Sequence, residues 1–161
     1  TGHALELLRM PERILVWTRL LLKSLAAHRK LALAREAAVK IAELEVQARE
    51  LAQALKNSRK AALFAVMLAE PLPDRETEDL LRELKRIGLF ANALFVNRVL
   101  MPEEAANCRR CMRTAQGQAR VLAGLKKSIR GTEIYLIRNF GHEVAGKDGL
   151  RELTQELWRL Q

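Results

Sequence analysis

Near residue 60 the hydrophobic pattern of this chain changes period, and that change limits what the chain can fold into. Upstream of it, apolar residues recur at helical spacing. Pro11 suits the first turn of a helix, and Ile14, Leu15, Trp17, Leu21, Leu22 and Leu25 follow it. A second helix carries one apolar stripe, Ala34, Ala37, Ile41, Leu44, Ala48, Leu51 and Leu55, with Glu, Arg, Lys and Gln opposite. The two are expected to form an amphipathic hairpin.

Downstream, residues 61–68 form a short unbroken apolar run, as a strand covered on both faces of a parallel sheet would show. Pro71, Pro73 and Asp74 punctuate it, and a helix is expected from Arg75 to Ile87, ended by Gly88. Ala93 to Asn97 reads as the next buried strand. A helix containing Gly117 and Gly124 runs to about Ser128. Glu133 to Ile137 makes a third strand, and a closing helix spans Leu150 to Leu160. Strands alternating with helices at this spacing imply right-handed crossovers and a parallel sheet. Three such strands leave unprotected edges, so the sheet is expected to be incomplete.

The chain has 161 residues, of which 49% are hydrophobic and 4% aromatic, a mixture that favours helices in a single domain-sized piece. No apolar run reaches membrane-spanning length, since Arg19, Lys23 and Arg29 interrupt the longest. No secretory signal is visible, and the missing initiator Met hints at something removed upstream. Two cysteines are too few for a disulfide scaffold, so a reducing cytoplasm is the expected location. The net charge of +9 is mostly dispersed among alternating glutamates; only residues 109–130 carry basic groups without acidic ones. That segment reads as a solvated or phosphate-facing helix, and nucleic acid is not the expected partner.

The chain contains no Gly-x-x-x-x-Gly-Lys-Ser/Thr loop and no Gly-x-Gly-x-x-Gly. Its three histidines, His3, His28 and His142, are scattered. These residues alone make no credible enzyme. Cys108 and Cys111 are spaced so that both thiols can face one way. They suit half of a four-thiolate zinc site shared across a symmetric dimer, a redox pair beside Arg109 and Arg110, or two unreactive thiols. Asn97 closes a parallel strand, where ligands bind in open α/β sheets, and its carboxamide can pair with the N6/N7 edge of adenine. A turn residue after a strand is the plainer alternative.

Four ordered stretches carry a family resemblance. They are Thr1-Gly2-His3-Ala4-Leu5-Glu6-Leu7-Leu8, residues 69–77 (Ala69 to Thr77), Leu94-Phe95-Val96-Asn97-Arg98 and Cys108-Arg109-Arg110-Cys111. In order, they resemble the end of switch II, the loop after a sheet strand, the Val-Val-Asn strand end and the Cys-x-x-Cys of the arsenical-pump and tail-anchored-protein-targeting ATPases. The resemblance runs along essentially the whole chain. It implies an α/β fold: the C-terminal part of a parallel-sheet P-loop NTPase domain, largely helical, with an inserted helical subdomain. Residues 1–9 would end switch II, 10–58 would be the helical subdomain, and 59–161 would complete the nucleotide-binding domain.

The resemblance further implies a parent that binds ATP with Mg2+, forms a homodimer, and couples hydrolysis to membrane-protein targeting or anion transport. Asn97 would contact adenine, with Arg138, Asn139 and Phe140 flanking the base, although the family's usual Pro near Arg138 is absent. Ile14, Leu15, Trp17, Leu21 and Leu22 would line a groove for apolar transmembrane segments of clients; a membrane pump is the other partner implied. The bland counterpart is an ordinary helical core. Without a phosphate loop, residues 1–161 are expected to show no ATP hydrolysis alone. The rival is a non-enzymatic basic adaptor binding nucleic acid or protein through Arg109, Arg110, Arg113, Arg120 and Lys127.

Overall fold

A computed structural model describes residues 2–28 and 30–160, so Thr1 of the switch II-like motif and Arg29 lie outside the described residues. The chain divides into two compact units: residues 1–62 with 86–89, and residues 63–85 with 90–161.

The first unit is a helical hairpin, α1 (Gly2–Ala26) and α2 (Ala32–Lys56). The first helix begins at Gly2, not at Pro11, which lies inside it and is buried. A proline there removes one helical hydrogen bond and costs roughly 3 kcal/mol in a helix interior. Here its ring closes a small cleft with Leu8, Ala52, Leu55, Ile87 and Leu89, and that packing offsets the lost bond. Pro11, Leu15, Thr18 and Leu22 form the inward row of α1, with Thr18 only 2% exposed. Ala34, Ile41, Ala48 and Leu55 repeat every seven residues as the inward row of α2.

The expected stripe of α2 is wider than that row, and one partner helix does not cover it. Leu44 and Leu51 remain 45% and 52% exposed. They sit three residues beyond Ile41 and Ala48, about 60° around the helix.

The second unit holds β1 (Phe64–Leu68), α3 (Pro71–Arg86), β2 (Ala93–Val99), α4 (Pro102–Ala105), α5 (Arg109–Ser128), β3 (Glu133–Arg138), α6 (Gly146–Gln155) and β4 (Leu157–Arg159). The sheet order is β1-β2-β3-β4, with the first three strands parallel and the last antiparallel to β3. The expected closing helix over 150–160 is therefore corrected: α6 ends at Gln155, and the residues after it pair Leu157 with Ile137 and Trp158 with Leu136. An apolar Leu-Trp pair beside an open strand edge gains ladder hydrogen bonds and burial that another helical turn would not. The helix after β1 starts at Pro71, four residues before Arg75, because prolines at 71 and 73 are tolerated in a first turn.

The core lies on one face of the sheet. Ala65, Met67, Leu94, Val96, Ile134 and Leu136 pack there against Val121 and Leu125 of α5, with Leu81 of α3 beside them. The opposite face carries a row of rings, Phe64 edge-on to Phe95 at 5.8 Å and Phe95 stacked on Tyr135 at 5.5 Å. Phe64 and Val66 on that face are exposed, so β1 is not the doubly covered strand that its unbroken apolar run implied. Among the described residues, no helix is long and apolar enough to cross a membrane.

Candidate functional site

The C-terminal ends of β2 and β3 bring together four of the expected site residues. Pairing between the two strands is regular from Ala93 to Val96 and resumes with Val99 opposite Arg138. Three residue steps on β2 thus match two on β3, leaving one extra residue in a bulge at Asn97–Arg98. Arg98 takes up the surplus with φ +58°, the left-handed region that side chains other than glycine's rarely enter. Its N–H donates to the Oδ1 of Asn97 at 2.9 Å, holding the carboxamide near the strand end. A carbonyl oxygen has a second lone pair and the amide NH2 is otherwise unengaged among the described residues, so Asn97 can still both donate and accept.

Two of the backbone groups around the bulge are satisfied by a side chain. Gln118 of α5, only 7% exposed, accepts from the N–H of Leu100 at 2.8 Å and donates to the carbonyl of Arg98 at 3.0 Å. Sequence reasoning missed this residue. The available signal was a glutamine within the otherwise apolar row Ala115, Val121, Leu122 and Leu125.

From β3, the N–H of Asn139 donates to the carbonyl of Val99 at 2.8 Å and ties the two strand ends together. Arg138 lies between Glu104 at 3.8 Å and Glu156 at 3.5 Å, and its guanidinium stands 5.3 Å from the ring centre of Phe140. Phe140 meets His142 edge-on at 5.9 Å, and His142 Nε2 pairs with Glu152 at 3.0 Å. Asn97, Arg138, Asn139 and Phe140 are all half-buried. The arrangement presents a bifunctional amide at one strand end and an aromatic ring after the next. On the α5 side of these ends lies a largely apolar cavity of about 330 Å3, lined by residues including Met101, Met112, Gln118 and Trp158.

Cys108 and Cys111 stand at the N-terminus of α5, both half-buried and not joined by a disulfide. Cys108 caps the helix, its Sγ accepting from the N–H of Cys111 at 3.2 Å. Hydrogen bonding from Cys111, side chain first and backbone second, pulls the Cys108 thiol below its ordinary range. The side-chain hydrogen bond to Cys108 pushes Cys111 up. Among the described residues no cluster of three or more His, Cys, Asp or Glu could hold a metal. The pair therefore fits a tetrahedral zinc only as two of four donors.

The five hairpin residues belong to the other unit and divide between two rows. Leu15 and Leu22 fall on the inward row, half-buried. Trp17 and Leu21, 71% and 48% exposed, lie with half-buried Ile14 on an outer row that also holds Leu7 and Met10. Ion pairs cross the hairpin between Glu12 and Lys56 at 2.5 Å and between Arg19 and Glu45 at 4.0 Å. At 100° per residue, both sit on one flank of the seam. The outer row of α1, with Leu44 and Leu51 of α2, falls on the other flank. On α5, Arg109, Arg113, Arg120 and Lys127 form an exposed line facing away from the core, with exposed Arg110 beside it.

The family model for anion-transporting ATPases matches residues 1–159. Among curated proteins, the ATPase get3 of Neurospora crassa is 24% identical over 118 residues, covering 73% of this chain and 35% of that protein. The ATPase GET3 of Komagataella phaffii is 25% identical over 120 residues, covering 74% and 35%. The ATPase get3 of Aspergillus niger is 24% identical over 108 residues, covering 67% and 32%. The chain thus spans about a third of the length of these relatives. With its mostly parallel sheet and a match along nearly its whole length, this chain belongs to the anion-transporting ATPase family.

Proposed function

We propose that this chain is the adenine-holding part of an ATP-dependent enzyme whose longer form couples hydrolysis to membrane-protein targeting or anion transport. The observation that carries the reading is the placement of Asn97 at the end of β2 and of Phe140 just after the end of β3, on neighbouring parallel strands whose ends the Asn139 N–H ties to the Val99 carbonyl. Open α/β sheets bind ligands at that edge. The Asn97 amide would donate to N7 of adenine and accept from N6, while the Phe140 ring stacks on the base. Phosphates and Mg2+ would be handled by residues of the longer protein outside this chain.

In this reading residues 1–9 end a switch segment, 10–58 form the helical subdomain and 59–161 complete the nucleotide-binding domain. The apolar flank around Ile14, Trp17 and Leu21, with Leu15 and Leu22 behind it, receives apolar segments of clients. Cys108 and Cys111, together with the same pair of a second copy, would hold one zinc. The chemistry that zinc supplies is structural: it locks two subunits together.

Titration of the chain with adenosine, followed on the Asn97 carboxamide resonances, tests the reading. Adenosine is expected to shift them and guanosine to leave them; Asn97→Ala, followed on the backbone amides of residues 96–100, should abolish the preference. Equal response to both nucleosides would refute adenine recognition. A second reading, nucleic-acid binding, is favoured by the exposed basic line of α5. It requires binding to duplex DNA or RNA that falls steeply with salt and with Arg113→Glu.

A further inference from the structure

The bulge that presents Asn97 is held from outside the strand. In a regular parallel ladder Arg98 and Leu100 would exchange hydrogen bonds with β3. The extra residue removes that option where one residue of slip would turn every later side chain to the other face. Val99 is buried, so the strand must resume its inward alternation directly after the bulge. The left-handed turn at Arg98 makes this possible, and it is unfavourable for an arginine. Such a conformation persists where its surroundings over-determine it. Here they do so through one side chain: Gln118 grips the carbonyl of Arg98 and the N–H of Leu100, one on each side of Val99.

We propose that Gln118 is a positioning residue of the adenine site, and the proposal rests on the reading of Asn97 given above. It acts through two steps. By fixing Arg98 O and Leu100 N it holds Arg98 in its left-handed conformation. That conformation aims the Arg98 N–H at Asn97 Oδ1 and so sets the direction of the carboxamide. Gln118 never needs to touch the base. An amide is required because one neighbour is an acceptor and the other a donor; methionine satisfies neither, and an ionised carboxylate satisfies only Leu100. The clamp also sits two helical turns from Cys111 on the same side of α5. The rigid helix therefore carries both the thiol pair and the support of the nucleotide edge.

The test compares Gln118→Met, Gln118→Glu and Asn97→Ala in the 161-residue chain, with adenosine as the probe, at a temperature where all are folded. Amide exchange at Leu100 is followed in parallel. Gln118→Met is expected to expose the Leu100 amide to exchange and to weaken adenosine binding about tenfold, the size of one misdirected hydrogen bond. Gln118→Glu should keep Leu100 protected and fall between. A folded Gln118→Met that binds adenosine as tightly as the unaltered chain overturns the proposal, as does a Gln118→Glu no weaker than wild type. An adenosine effect at Asn97 with none at Gln118 sinks the positioning role alone. No effect at Asn97, with Leu100 still released by Gln118→Met, sinks the adenine reading and leaves a purely structural clamp.

Discussion

The guanidinium of Arg138 stands 5.3 Å from the ring centre of Phe140, while Glu104 and Glu156 take up its charge. The arginine is thereby engaged within the protein, and the aromatic ring is the group left for a base. Phe140→Ala is expected to weaken adenosine binding by about 1–3 kcal/mol, the usual worth of stacking one base on a ring. Arg138→Met should have the smaller effect. Titration of both variants checks the ranking, and a larger loss at Arg138 would assign the base to the cation.

Arg98 is the only described non-glycine residue with positive φ. Arg98→Gly is expected to be neutral or to raise stability by up to about 1 kcal/mol, because glycine enters that region freely. Arg98→Val should cost more than 1 kcal/mol, since a β-branched side chain fits it worst. Denaturant melts of the two variants decide, and an equal cost for both would argue against the bulge.

The two rows of α1 separate packing from client handling. Leu21→Asp lies on the exposed flank and should change the melting temperature by less than about 2 °C, while removing binding of an apolar helical peptide. Ile41→Asp, on the inward row of α2, should cost several kcal/mol, on the order of 2–4. Leu51 is too exposed to serve as a packing control. Thermal melts with peptide titration test the pair; comparable destabilisation at residues 21 and 41 would remove the groove.

If the thiols of two chains complete one site, purified dimer should contain about one zinc per two chains. Cys108→Ser should release the metal and shift the protein toward monomer. Metal analysis with sedimentation gives the answer, and one zinc per chain on a monomer would exclude sharing.

Asp74, in the first turn of α3, has a buried oxygen without a hydrogen-bond partner. Burial first, and the charge of Glu78 second, raise its carboxyl above the ordinary value, with Arg75 opposing. The folded state therefore binds this proton more tightly than the unfolded chain does. The resulting stabilisation is complete below the unfolded value and is lost as pH rises through the raised folded one. Asp74→Asn should melt above the unaltered protein at pH 7, with the gap closing as pH falls below the ordinary aspartate range. A constant gap from pH 3 to 8 would contradict the shift.

The change of hydrophobic period near residue 60 was enough to separate a helical hairpin from strands alternating with helices. Periodicity is a local property, and burial of one stripe or one run follows from it directly. The strands within the run 61–68 and at 93–97 and 133–137 were legible for the same reason, as was the helix ending at Ser128, although residues 61–63 lie outside β1. Local pattern could not decide what each face would meet. Leu44 and Leu51 belong to a stripe by spacing yet stay exposed, because a single partner helix covers only part of a wide stripe. Pro11 signals a helix start by propensity, but its ring lines a cleft with Ala52 and Leu55, and tertiary packing overrides the local rule. Residues 157–159 are expected to be helical and instead pair with β3, whose open edge exists only once the sheet has formed. Asn97 was visible as a polar residue ending an apolar run. Its aim depends on Gln118, 21 positions later, and that dependence arises only where α5 lies against the bulged strand.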